Sequence, residues 1–444
     1  MKKYIVSVFL LLLALSIQAQ GKWTLRQCIN YAVENNIEIK QQALDVKNSE
    51  INLSTSKNSR LPDLNADISQ GFSFGQVVNY QTNTNMTTNA SSAQLSVSTS
   101  VPLFTGFKIP NQIKADEFSL KAATEGLKKA KENLELQVTS LYLEVLFKKE
   151  ILKAYQEQNE LSKQQIEKTQ ILVDAGKVPA SQLFDIKAQQ AKDDLNVTTS
   201  NNDLTLSLLN LAQALNIQQT EQFDIVEPII SDVIGENMSS IVPPSQVYQT
   251  ALLNRPQIKE GEYKVESSRK LLKVAQAGYY PTLNFNARYS TSVQRQYGSK
   301  NGSFSDQFRD NGSEYFGFSL NIPIFNRFQV RNQVRGARLS IENNMLALDN
   351  VKLALFKEIQ QAYQSAVAAQ SKFVSTGKAF EAAGESFKYA QERYNIGKSS
   401  VFEFNEAQTK LLTSKSEQIQ AKYDFLFRAK ILDFYRGVEI DIKE

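Results

Sequence analysis

Glu403 and Glu406 are the residues most open to a chemical reading. Spaced three apart in a stretch of helical periodicity, the two carboxylates share one face of a helix. Ser400 stands just before them, so Glu403 also fits the far end of a capping box. Glu406 has Lys410 four residues on, an ordinary surface pair. Little else offers catalysis. The chain has no histidine, which removes histidine triads, proton shuttles and histidine metal sites together. There is no G-x-S-x-G elbow, phosphate loop or metal-ligand cluster. The single cysteine, Cys28, cannot form an intrachain disulfide, and its place on an early helix reads as packing. No enzyme and no cofactor are expected.

Of the 444 residues, 42% are hydrophobic and 22% charged, which excludes disorder throughout. Lys2 and Lys3 open the chain, an apolar run follows from Tyr4 to Ile17, and Ala19 offers a cleavage position. Residues 1–19 therefore read as a secretory leader. The run is shorter than the ~20 residues a spanning helix needs. Without the leader, 48 basic side chains face 46 acidic ones. That balance gives no electrostatic case for nucleic acid.

The chain repeats itself. At an offset of 219, Asn35 meets Asn254 and Pro62-Asp63-Leu64-Asn65 meets Pro281-Thr282-Leu283-Asn284. The offset then becomes 221, where Pro102-Leu103-Phe104 meets Pro323-Ile324-Phe325, Phe107 meets Phe328 and Gly176-Lys177 meets Gly397-Lys398. Such a register over nearly the whole chain marks a tandem duplication. The first structural repeat spans 20–216 and the second 244–437, with a linker at 217–243 and a tail at 438–444.

Each repeat has the same expected order. An opening helix near 24–59 or 244–278 ends before Pro62 or Pro281. Strands follow at about 62–79 and 92–102, and at about 281–293 and 314–323. In all four, apolar residues alternate with small polar ones, as Ile68, Phe72 and Phe74 do with Ser69, Gly71 and Ser73. The alternation suits a strand between lipid and a water-filled lumen, and equally a half-buried soluble sheet. The segments Tyr80 to Gln94 and Gln294 to Ser313 read as polar loops. Proline-free helices of around 60 residues run from Ile113 and from Val334. Such lengths require side-by-side packing of long helices. Glycine interrupts each, near 174–181 at Gly176 and near 394–401 at Gly397. Tyr279, Tyr280, Phe104, Phe107, Phe325 and Phe328 flank the strands, either as a membrane-interface belt or as packing.

Four strands per chain cannot close a membrane barrel, since the smallest bacterial ones have ~8 and open edges are not tolerated in lipid. Copies must pool their strands. The chain resembles the TolC-like outer-membrane efflux family in Trp23-Thr24-Leu25 through Asn36, Pro62-Asp63-Leu64, the repeated Val101-Pro102-Leu103-Phe104 and Ile322-Pro323-Ile324-Phe325, and the breaks around Gly176 and Gly397.

The resemblance implies an α+β membrane protein. A homotrimer would form a 12-stranded transmembrane β-barrel continuous with a long periplasmic α-helical barrel. It implies the passive exit duct of a tripartite efflux or secretion system in a Gram-negative outer membrane. The expected partners are outer-membrane lipid, a periplasmic adaptor and an inner-membrane transporter of RND, ABC or MFS type. The resemblance places Gly176, Lys177, Val178, Gly397, Lys398 and Ser399 at adaptor-contacting tips. It places Glu403, Glu406, Tyr394 and Asp185 at the pore entrance. The chain departs from the family where Ser399 replaces an arginine and Gln182 an acid, so the closing contacts must differ. The alternative from the residues alone is a periplasmic coiled-coil adaptor or scaffold without a pore.

Overall fold

The computed structural model describes residues 22–79, 83–218, 220, 223–228, 242–298 and 300–440. The leader 1–19, most of the linker and the last four residues of the tail lie outside the described residues.

Helix α1 (Leu25–Asn35) starts at a capping box, in which Thr24 takes the amide of Gln27 and the Gln27 side chain takes that of Thr24. The opening helix expected at 24–59 is in fact two. Asn36 breaks it with extended backbone, and its side-chain oxygen accepts the amides of Glu38 and Ile39, which cap α2 (Ile37–Asn58). The second repeat divides at the matching point, between α5 (Pro244–Asn254) and α6 (Pro256–Gln276). There the ring of Pro256 forces Arg255 out of the helical region.

Strands β1 (Asn65–Asn79), β2 (Thr84–Phe104), β3 (Thr282–Gln296) and β4 (Ser313–Asn321) form one antiparallel sheet in that order. Strand β2 takes in most of the expected loop at Tyr80 to Gln94. Its threonines are good strand formers, and a polar run remains a strand where its ladder is paired and its faces are wet. The other expected loop is shortened by β3 and holds a short helix, α7 (Phe304–Asp310), capped by Ser303. The register sets Ile68 opposite Leu95, Val97 opposite Tyr289 and Phe285 opposite Phe318. These apolar side chains thereby share one face. That face is open: Ile68 is 80% exposed, Phe74 75% and Phe318 71%.

Helix α3 (Lys108–Asp174) and helix α8 (Gln329–Asn395) each run 67 residues, about 100 Å. Helix α3 starts earlier than expected because Pro110 falls in its first turn, where no amide partner is lost. Helices α4 (Ala180–Ala214) and α9 (Val401–Arg436) follow the breaks. Among the described residues no helix is long and apolar enough to cross a membrane.

The chain forms two compact units that cut across the repeats. One comprises 45–124 and 260–349, and the other 1–44, 125–259 and 350–444. The first holds the sheet and the adjoining helix segments. The second is built on Leu25, Cys28 and Ile29 of α1, Val138 and Leu146 of α3, Leu211 of α4 and Phe425 of α9. Cys28 is fully buried there, and burial pushes its thiol up to about 12. Trp23 pairs in parallel with Ile225, and the Tyr142 hydroxyl donates to the Val226 carbonyl at 2.8 Å.

Arg255 ties the second repeat into this unit. It meets Glu132 at 3.0 Å, donates to the Phe434 carbonyl at 3.2 Å and lies 3.9 Å over the Phe434 ring. Burial raises the Glu132 carboxyl above its ordinary range, against the pull of Arg255. Removing one member of a buried pair strands the other. Arg255→Ala is expected to destabilise this unit by about 3 kcal/mol. Arg255→Met with Glu132→Met is expected to lose less. Denaturant midpoints of the solubilised protein give both values.

Candidate functional site

Both hairpin tips are built by the same backbone device. At the first, Lys177 donates to the Leu172 carbonyl and Gly176 to that of Val173, with Gly176 at φ +63. At the second, Lys398 donates to Arg393 and Gly397 to Tyr394, with Gly397 at φ +73. These are Schellman closures, and a residue without a Cβ adopts the left-handed conformation most cheaply. Lys177 and Lys398 are exposed, while Val178 and Ser399 are half-buried.

Beyond the second tip, Ser400 caps α9 by accepting the Glu403 amide at 3.2 Å. The Glu403 carboxylate also accepts from the Ser399 hydroxyl and pairs with Arg393 at 3.4 Å. Ser399 first, then the Ser400 amide and Arg393, hold this exposed carboxyl below its ordinary value. Glu406 and Asp185 are also exposed. Among the described residues neither has an ion pair, so the Glu406–Lys410 pair is not made. Tyr394 does the opposite: its ring stacks on buried Phe404, with centroids 5.0 Å apart, and its hydroxyl lies 3.5 Å from that of Thr169.

The Thr169 contact belongs to a series of cross-links from α3 to the second hairpin. Glu150 pairs with Lys422, and Glu157 with Lys415 at 2.6 Å. Seven residues separate the members on each helix, which suits antiparallel packing. Nearer the tips the links become neutral or singly charged. Gln408 reaches Ser162 at 3.5 Å, and Lys168 reaches the Asn395 side chain at 2.5 Å.

The buried side of α3 changes in step. Leu134, Val138, Leu146, Leu152 and Ala154 give way to Asn159, Ser162, Gln165 and Thr169. Buried Asp193 of α4 faces this polar stretch and accepts from Ser162 at 2.6 Å, Gln189 at 2.9 Å and Gln158 at 3.5 Å. Leu183, Ile186 and Phe404 keep the ends nearest the tips apolar. The cross-links were not anticipated, although the seven-residue spacings of Glu150 with Glu157 and of Lys415 with Lys422 stand in the sequence.

Residues 28–216 and 247–436 match the Outer membrane efflux protein family, one match in each repeat. The chain belongs to that family. It is 22% identical over 422 residues to the outer membrane protein TolC of Escherichia coli, covering 90% of this chain and 80% of that one. Its fold is similar to that of CusC, a protein that forms a transmembrane channel. There the TM-score is 0.78 at 18% identity, with coverage of 94% and 92%. The CmeC outer membrane channel of Campylobacter jejuni gives a TM-score of 0.77 at 18% identity, covering 94% of this chain and 86% of that one. This efflux-family chain is thus an outer-membrane channel protein with a periplasmic helical extension.

Two outcomes test the local chemistry. Asp193→Ala leaves the buried Ser162 hydroxyl and the half-buried Gln158 and Gln189 amides without their acceptor and is expected to cost about 1–3 kcal/mol. Faster amide exchange in 155–200 than elsewhere reads it out. For Glu403, a lowered folded pKa means the ionised contacts persist as pH falls and are lost only below the ordinary carboxylate range. Ser399→Ala is expected to raise the titration midpoint of Glu403, measured by carboxyl NMR.

Proposed function

We propose that three copies of the chain form one passive exit duct. Their strands pool into a twelve-stranded barrel across the outer membrane, and their long helices form a tunnel into the periplasm. The observation that carries this reading is the open sheet. Strands β1 and β4 are its edges, and its apolar face is uncovered. Lipid does not tolerate such edges.

The duplication supplies the missing contact. Within the chain, β2 of the first repeat pairs with β3 of the second, with Val97 opposite Tyr289 and Thr99 opposite Ala287. Moved by the repeat offsets, the same pairing sets Phe318 of β4 opposite Gln70 of β1 in the next copy, and Leu320 opposite Ile68. This register keeps Leu320 and Ile68 on the apolar face. A slip of one residue would turn one of them into the lumen.

The tips, with Gly176, Lys177, Val178, Gly397, Lys398 and Ser399, face a periplasmic adaptor. An inner-membrane transporter of RND, ABC or MFS type supplies the energy, and the duct does no chemistry. Glu403, Glu406 and Asp185 ring the entrance and favour cations. Tyr394 and the cross-links of α3 hold it narrow.

Native mass determination and bilayer conductance test the assembly, and a monomer without conductance overturns it. Under oxidation, Leu320→Cys with Ile68→Cys is expected to give covalent multimers, whereas Leu320→Cys alone is not. Replacing Glu403 and Glu406 with alanine is expected to reduce cation preference. Unchanged selectivity would remove both from the pore.

A further inference from the structure

The turn from strand to long helix holds an unusual backbone in both repeats. Gly106 and Phe107 lie at φ +61 and +66, and Arg327 and Phe328 at +55 and +60. The first position of the turn is glycine in one repeat and arginine in the other. At Gly106 a Cβ would sit 2.7 Å from the Ala277 carbonyl oxygen, so no side chain fits. Arg327 carries its side chain in a left-handed conformation that disfavours any residue with a Cβ. A side chain kept on strained backbone commonly has a function that offsets the strain.

Arg327 begins a stripe. Arg331, Arg335 and Arg338 follow at steps of four, four and three, all exposed; Arg327 stands two residues before α8, and the other three lie along one face of it. No acidic residue occurs from Phe325 to Ile341, and among the described residues none of the four arginines has an ion pair. The first repeat has Gly106, Pro110, Lys114 and Glu117 at the matching positions, and Lys114 is paired with Glu117 at 3.0 Å. The stripe also opposes its own helix. Cations in a first turn are unfavourable beside the positive end of the dipole, and α8 has no acid there.

The face is free within the sheet-bearing unit. Helix α8 meets α6 and the turn after it through Val330, beside Gly278, and Leu348, beside Gly261. Those residues are on another side of α8. Aromatic rings surround the top of the stripe. Phe325 is 71% exposed and packs edge-on against Phe328 at 5.5 Å, and Arg331 lies 5.6 Å from the Phe328 ring. Tyr279 and Tyr280 are also exposed beside the start of β3. All of this lies where the strands end and the helices begin, at the periplasmic edge of the membrane in an outer-membrane channel.

The geometry points to a binding site for the phosphates of anionic phospholipid headgroups in the periplasmic leaflet. The rings of Phe325 and Phe328 enter the interface, and Arg327, Arg331, Arg335 and Arg338 reach the phosphates below. Arginine supplies planar paired donors for phosphate oxygens. A bound anion would offset both the mutual repulsion of the stripe and its conflict with the dipole.

The test uses the assembled full-length channel in neutral detergent. Thermal unfolding is followed with added phosphatidylglycerol, phosphatidylcholine or inorganic phosphate. Phosphatidylglycerol is expected to raise Tm, and the other two are not. Changing all four arginines to glutamine is expected to abolish the gain, with affinity falling about fivefold for each arginine removed. Arg327→Gly separates binding from folding. It relieves the strained backbone, so Tm without lipid should hold or rise, while the gain from phosphatidylglycerol shrinks. Equal gains from phosphatidylcholine, an equal effect of inorganic phosphate, or a full gain in Arg327→Gly would each overturn the proposal.

Discussion

A backbone amide or carbonyl in hydrocarbon has no water to turn to, and this constraint governs the chain. Strands β1 and β4 each present a row of such groups at the sheet edge. No folding of one chain can satisfy them, because four strands are too few to close. The tandem duplication meets the constraint economically. One strand pairing, between β2 and β3, already joins a first repeat to a second inside the chain. The same surfaces, repeated outward, can join chain to chain without a second kind of interface.

Much of this organisation was legible because the repeat is written in unshifting residues. Pro62, Pro281, Gly176 and Gly397 act through their own backbone geometry, so their effects can be read without neighbours. The break at Pro256 belongs to the same class. The break at Asn36 does not: asparagine can sit inside a helix or cap one, and here its side chain takes the amides of Glu38 and Ile39, which favours the break. The extent of β2 was hidden for a related reason. Its Thr, Asn and Ser residues look like a loop until β1 and β3 supply a ladder on both sides.

The candidate site shows the same boundary. The tips and the Ser400 cap are local, and local chemistry predicts them. The further partners of Glu403, the Ser399 hydroxyl and Arg393, are not written there, because packing decides which neighbours a carboxylate three residues beyond a cap can reach. The α3 cross-links join residues more than 200 positions apart, and sequence spacing shows the period of each row but not which rows meet. The repeats have also diverged at matched positions: Asn36 against Arg255, Gly106 against Arg327 and Asn216 against Gly437. In each case both residues hold the same backbone shape and differ in what the side chain reaches.

The shift from apolar to polar burial along α3 has a mechanical meaning. Prising apart Leu146 and Phe425 exposes hydrocarbon that water cannot recompense, so that end of the hairpins resists separation at every displacement. Ser162, Asp193 and Gln408 can exchange each other for water, one hydrogen bond at a time and at little net cost. Between the two ends the helices act as a lever, stiff at the fulcrum and compliant over the polar stretch. Force applied at the tips would be spent on movement there before it reached the apolar core.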